Sequence, residues 1–120
     1  AFADCAFDAS SVLGEGDDGA KAAAAAEAVV DGAEWIVCGT LGLAYPSSSE
    51  AIRSIVDRAL SGGGARLCVD VNWRPVFWIE DRWTESEARD AVLNLARRAD
   101  VVKLTDEEAE WAFGIPAREA

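Results

Sequence analysis

The stretch Leu67-Cys68-Val69-Asp70-Val71-Asn72-Trp73-Arg74-Pro75-Val76-Phe77-Trp78 decides the fold. It opens as an apolar run and ends in a polar segment closed by Pro75. A short apolar run bounded in this way reads as a buried strand over 65–71. Pro75 forbids ordinary helix and central-strand pairing just beyond it. Asp70, Asn72 and Arg74 alternate, so an extended backbone points all three the same way. Polar groups in a row at the end of an apolar strand are the mark of a site at a sheet's carboxyl edge.

On the N-terminal side, Pro46-Ser47-Ser48-Ser49-Glu50 opens a helix, with Ser47 and Glu50 at capping-box spacing. Ala51, Ile52, Ile55, Val56, Ala59 and Leu60 then share one face. Gly62-Gly63-Gly64 ends it; a strand follows and no Gly-Lys-Ser/Thr is present, so this is a turn and not a phosphate loop. Residues 35–38 form a shorter apolar strand, expected to be buried on both faces, with a glycine-bearing loop over 39–45. An alanine-rich helix spans 20–30 and stops at Asp31-Gly32, where Gly32 can adopt a left-handed cap. Residues 8–19 read as an acidic loop without the ligand spacing of a calcium-binding hand, and residues 1–7 as a short strand.

On the C-terminal side, Thr84 with Glu87 opens a helix whose stripe is Ala88, Ala91, Val92, Leu95, Ala96 and Ala99. A strand over 101–104 follows. Thr105 with Glu108 opens a last helix, closed by Gly114 and Pro116. Alternating helices and strands with short connections predict an α/β fold with a mostly parallel sheet. Three strand-end loops are then candidate ligand positions: 39–45, 70–78 and 105–108.

Composition narrows the function. The 120 residues suit part or all of one domain, and 51% hydrophobic residues can fill a core. A net charge of −11, from 22 acidic and 11 basic residues, opposes nucleic-acid and anionic-membrane binding. It leaves room for a nucleotide met by local donors and a metal ion. The absence of His removes His-based triads and His metal ligands. Cys5, Cys38 and Cys68 lie far apart and form no CxxC, so they read as free thiols in a reducing compartment. No apolar run is long enough to span a bilayer and no signal peptide is present, so secretion is not expected. The chain starts at Ala1 and contains no Met, as expected of a fragment or a processed product.

Two chemistries fit the strand-end residues. Arg74 can neutralise a phosphate while Asn72 donates and accepts; equally, Asp70 can pair with Arg74 and Asn72 can fix the loop backbone. Thr105, Asp106, Glu107 and Glu108 can influence a magnesium ion, or can be a helix cap with acids favoured by the dipole. Trp73, Phe77, Trp78 and Trp83 read as loop-packing aromatics. No G-x-G-x-x-G follows a strand, so the usual support for a dinucleotide-binding domain is missing.

The segment D-V-N-W-R-P-V-F-W, with V-V-K-L-T-D-E-E-A-E-W about thirty residues on, resembles the middle of PfkB-family (ribokinase-like) carbohydrate kinases. V-C-G-T-L-G-L-A-Y-P is similar to the fructokinase-like subgroup from photosynthetic organisms. The resemblance runs from Trp35 to Gly114 and weakens before it. It implies a partial ribokinase-like three-layer α/β/α sandwich, with residues 1–120 all within one kinase domain. It implies ATP-dependent phosphorylation of a sugar hydroxyl, with fructose or a related ketose as substrate, ATP as co-substrate and Mg2+ as cofactor. Asp70, Asn72 and Arg74 match the D-x-N-x-R segment that lines the substrate and phosphate region. Glu108 matches the Glu of the magnesium-influencing N-x-x-E motif, whose Asn position holds Thr105, a departure that puts direct coordination by that side chain in doubt. Lys103 matches a common strand residue of unassigned role.

The family's catalytic Asp, in a G-A-G-D segment, has no counterpart in the sequence, nor do the N-terminal sugar-binding glycines and lid strands. The chain alone is therefore expected to show no kinase turnover. The alternative implied by the resemblance is a non-catalytic fructokinase-like interaction subunit of a plastid complex. Cytosol and plastid stroma both fit; the sugar, the hydroxyl and a homo-oligomeric state stay open.

Overall fold

The computed structural model describes residues 16–62, 64–78 and 82–116. The order is helix α1 (Gly16–Gly32), strand β1 (Trp35–Gly39), a 3-10 turn (Leu41–Ala44), helix α2 (Pro46–Ser61), strand β2 (Arg66–Asp70), a 3-10 turn (Pro75–Phe77), helix α3 (Glu85–Ala96), strand β3 (Val101–Lys103) and helix α4 (Asp106–Phe113). The strands form one parallel sheet in the order β1-β2-β3. The expected strand at 1–7 lies outside the described residues.

Parallel pairing puts Trp35 beside Arg66, Gly39 beside Asp70, and Asp70 beside Lys103, so the strands end together. Asp100 locks the β2–β3 register: its carboxylate accepts from Leu67 N at 2.9 Å and its own N donates to Leu67 O at 2.8 Å. Side chains alternate across the sheet. Leu67, Val69 and Val71 are buried on the inner face, with Ile36, Cys38 and Val102 partly buried beside them. The expected stripes of α2 and α3 close this core through Val56, Ala88, Val92 and Leu95.

The opposite face carries Trp35 (45% exposed), Val37 (69%) and Val101 (48%). This corrects the expectation that β1 is buried on both sides. Of the α/β/α layers, the described residues build the sheet and its inner helical layer. Arg66 lies over the Trp35 ring on the open face, 5.7 Å from its centroid.

Local rules account for most element ends. Thr84 Oγ1 accepts from Glu87 N at 3.1 Å, as its spacing predicts. Gly114 closes α4 at φ 68, where glycine has no Cβ penalty. Three ends differ. Helix α1 begins at Gly16, earlier than expected. Gly32 does not take the left-handed cap, since Gly114 alone has positive φ among the described residues. Ser47 is not a cap: Pro46 already holds the first helical position, and Tyr45 precedes it with no side-chain bond. Ser48 instead donates to Gly42 O at 2.6 Å and ties α2 to the preceding turn.

Arg58 joins α2 to α1 through two 2.9 Å bonds to the Asp31 carboxylate. Those bonds hold the Asp31 carboxyl below its ordinary range. Cys38 and Cys68 are free thiols, and burial, with Cys68 nearby, pushes the Cys38 thiol up, as suits a small core residue. No helix among the described residues is long and apolar enough to cross a membrane.

Candidate functional site

Strand β2 delivers residues 71–74 past the sheet edge. Two neighbours fix that segment: Val71 N donates to Lys103 O at 2.8 Å, and Asn72 N donates to Thr40 Oγ1 at 3.2 Å. Thr40 is 1% exposed, so its hydroxyl is a built-in support. Thr40→Val keeps the volume but leaves the Asn72 N–H without that acceptor. Chemical unfolding should show a loss of about 1–3 kcal/mol; no loss would show that the bond does not hold the loop.

The candidate residues separate into two groups. Arg74, Thr105 and Glu108 meet at one cleft of about 530 Å³, lined also by Trp73, Asp106 and Glu107. Asp70 and Asn72 line a different hollow of about 340 Å³, beside Gly39, Leu41 and Gly42. Asp70 does not pair with Arg74; its carboxylate lies 3.5 Å from Lys103 Nζ, on the register neighbour. Lys103 therefore has a contact that sequence reasoning did not assign.

Glu108 is 6% exposed. Its Oε2 accepts from Thr105 N at 3.0 Å, while Thr105 Oγ1 accepts from Glu108 N at 3.2 Å. The expected capping box is thus complete. It uses one carboxylate oxygen. The other, Oε1, lies 3.9 Å from Arg74 NH1, a long ion-pair contact. Arg74 NH1 donates to Trp73 O at 2.9 Å, and the guanidinium otherwise faces the cleft half-exposed.

A run of four indoles packs behind the Arg74–Glu108 cleft, and Trp73 reaches its lining. Trp111 stacks on Trp73 with centroids 4.1 Å apart, Trp73 packs against Trp78 at 5.8 Å, and Trp78 meets Trp83 edge-on at 4.8 Å. Trp111 is held from α3: its Nε1 donates to Glu85 at 3.0 Å, and its carbonyl accepts from Arg89 Nε at 3.0 Å. Trp83 Nε1 donates to Ala44 O at 3.0 Å. The tryptophans are packing residues, as expected, yet they also join the chain neighbour of Arg74 to the helix that carries Glu108. Sequence reasoning missed Thr40 and the Trp111 stack. The sequence signal for Trp111 is its place three residues after Glu108, on the same helix face.

The cleft's charges suit one class of ligand. Arg74 contributes one positive charge against the carboxylates of Asp106, Glu107 and Glu108. A bare polyphosphate is repelled by such a cleft, whereas one carrying a divalent cation is not. Among the described residues, no group of three or more His, Cys, Asp or Glu is placed to hold a metal.

The fold has a solved counterpart. This chain is similar to a PfkB protein. The crystal structure of a PfkB protein from Polaromonas sp. JS666 superposes with a TM-score of 0.65 and 28% sequence identity, over 78% of this chain and 30% of that one. The match supports a kinase-like α/β fold of PfkB type and says nothing finer about the subgroup. The chain spans less than a third of its PfkB neighbour's length. No protein family model matches the chain, and no curated protein matches it.

Proposed function

We propose that the chain is a central part of a PfkB-type sugar kinase that transfers the γ-phosphoryl group of ATP to a hydroxyl of fructose or a related ketose. The observation that carries this reading is the charge balance of the Arg74–Glu108 cleft, which favours a phosphate ligand arriving with a divalent cation. The PfkB neighbour supports the same class.

In this reading Arg74 meets a phosphate with its unengaged guanidinium N–H groups. Glu108 would be the carboxylate that influences a bound Mg2+, while Thr105 holds that carboxylate through its backbone N–H. The metal supplies charge neutralisation of the transferring group. Asp70 and Asn72 serve the neighbouring substrate side of the same sheet edge. In this reading the base for the sugar hydroxyl is the family's catalytic Asp, whose G-A-G-D segment has no counterpart in this sequence.

The test is nucleotide binding followed by tryptophan fluorescence, since Trp73 lines the cleft. ATP with Mg2+ should change the emission saturably, and ATP with EDTA should not. Arg74→Ala should weaken the Mg·ATP response about tenfold or more, the equivalent of one charge-assisted hydrogen bond. Equal binding with and without Mg2+ overturns the reading.

A further inference from the structure

We infer that a second cleft, between the first half of α2 and the segment leading into α3, binds a small organic phosphate that carries a flat apolar group. This cleft has a volume of about 680 Å³ and shares no lining residue with the Arg74–Glu108 cleft.

The first observation is an inventory of arginines. Arg58 bonds Asp31, Arg66 lies over Trp35, Arg74 bonds Trp73 O, Arg89 bonds Trp111 O, Arg97 bonds Asn94 and Arg98 pairs with Asp57 at 2.7 Å. Arg53 and Arg82 have no partner among the described residues, and both line this one cleft. In a chain of net charge −11, acidic partners are plentiful, so two unengaged guanidinium groups converging on one space point to an anion.

The second observation is Ser49, which lines the same cleft and whose solvent-reached hydroxyl has no hydrogen-bond partner among the described residues, so it is free to donate to a ligand there. Ser49 and Arg53 are four residues apart on α2, so they stand on one face. The third observation is Trp83, whose indole is fixed by its bond to Ala44 O and forms part of the wall with Leu43 and Pro46.

The acidic groups at the cleft are Glu50 and Asp57. Asp57 is already neutralised by Arg98. Among the described residues, two arginines against Glu50 leave the cleft with positive charge, in contrast to the acidic Arg74–Glu108 cleft. A phosphate monoester therefore needs no metal ion here. Guanidinium groups bind its oxygens, Ser49 donates a further bond, and a planar substituent lies against Trp83.

Phenyl phosphate is the probe. It is titrated into the full chain while the Trp83 indole N–H resonance is followed. The expected result is a saturable shift with a dissociation constant in the millimolar range, without Mg2+. Arg53→Gln with Arg82→Gln should raise that constant about tenfold or more, and Arg53→Lys with Arg82→Lys should restore part of it. Arg74→Gln should leave it unchanged. A linear response, an unchanged constant in the double Gln variant, or loss of binding in Arg74→Gln overturns the inference. Because the probe needs no Mg2+ and the control is Arg74, failure here is separable from failure of the kinase reading.

Discussion

Trp78→Ala is expected to destabilise the chain by about 3–5 kcal/mol, and Trp78→Phe by much less. Trp78 is 5% exposed and sits between Trp73 and Trp83. Removing the side chain opens a cavity beneath the loop that carries Arg74 and cuts the indole run in two. Phenylalanine keeps much of the ring contact. It also removes a liability: Trp78 Nε1 is buried with no hydrogen-bond partner among the described residues, and an unmet buried donor costs about 1–3 kcal/mol. The smaller ring loses packing but leaves no orphan. Urea unfolding of the two variants checks this. If Phe costs as much as Ala, the indole N–H has an acceptor that matters.

Glu108→Gln separates the two roles that meet in one carboxylate. The Gln side-chain carbonyl can still accept from Thr105 N, so the cap survives and stability should change by about 1 kcal/mol or less, as for an ion pair with an exposed partner. The negative charge beside Arg74 is lost. In the kinase reading, Mg2+-dependent turnover of the full-length parent protein should then fall about 10–100-fold, the usual cost of removing an outer partner of a metal. Glu108→Ala should lose the cap as well, at about 0.5–2 kcal/mol. Thermal melts with a Mg2+ titration of activity distinguish the cases. If Gln leaves turnover intact while Ala only lowers stability, Glu108 is a helix cap and nothing more.

The sequence made the scaffold legible wherever a local rule acts alone. The β2 run, the α2 and α3 stripes and the Thr84 and Thr105 caps follow from periodicity and from hydroxyls placed before an acidic residue. The Ser47 signal failed because Pro46 preorganises the helix one residue earlier. The two-sided burial expected of β1 failed for a different reason. An apolar strand shows that its faces avoid water in some context, while the described residues place helices on one face only.

The candidate site was legible as a location and less so as a constellation. Alternation predicted that Asp70, Asn72 and Arg74 point the same way, but Arg74 lines one cleft and Asp70 with Asn72 another. It could not show that Pro75 turns the chain so that Arg74 faces α4 while Asp70 and Asn72 face the β1 loop. Nor could it show that Lys103, the register neighbour on β3, would take the Asp70 carboxylate. Long-range contacts such as Trp73–Trp111 and Thr40–Asn72 have no local signature. They follow only once the parallel register is known.

The central claim, that this chain supplies the phosphate-facing wall of a sugar kinase, is tested most directly by sugar-dependent ADP release from the full-length parent protein and its Arg74→Ala variant. The account predicts Mg2+-dependent ADP release that rises with fructose or a related ketose in the parent and drops at least tenfold in the variant. A folded parent that releases no ADP with any ketose, or a variant that matches the parent, would contradict it.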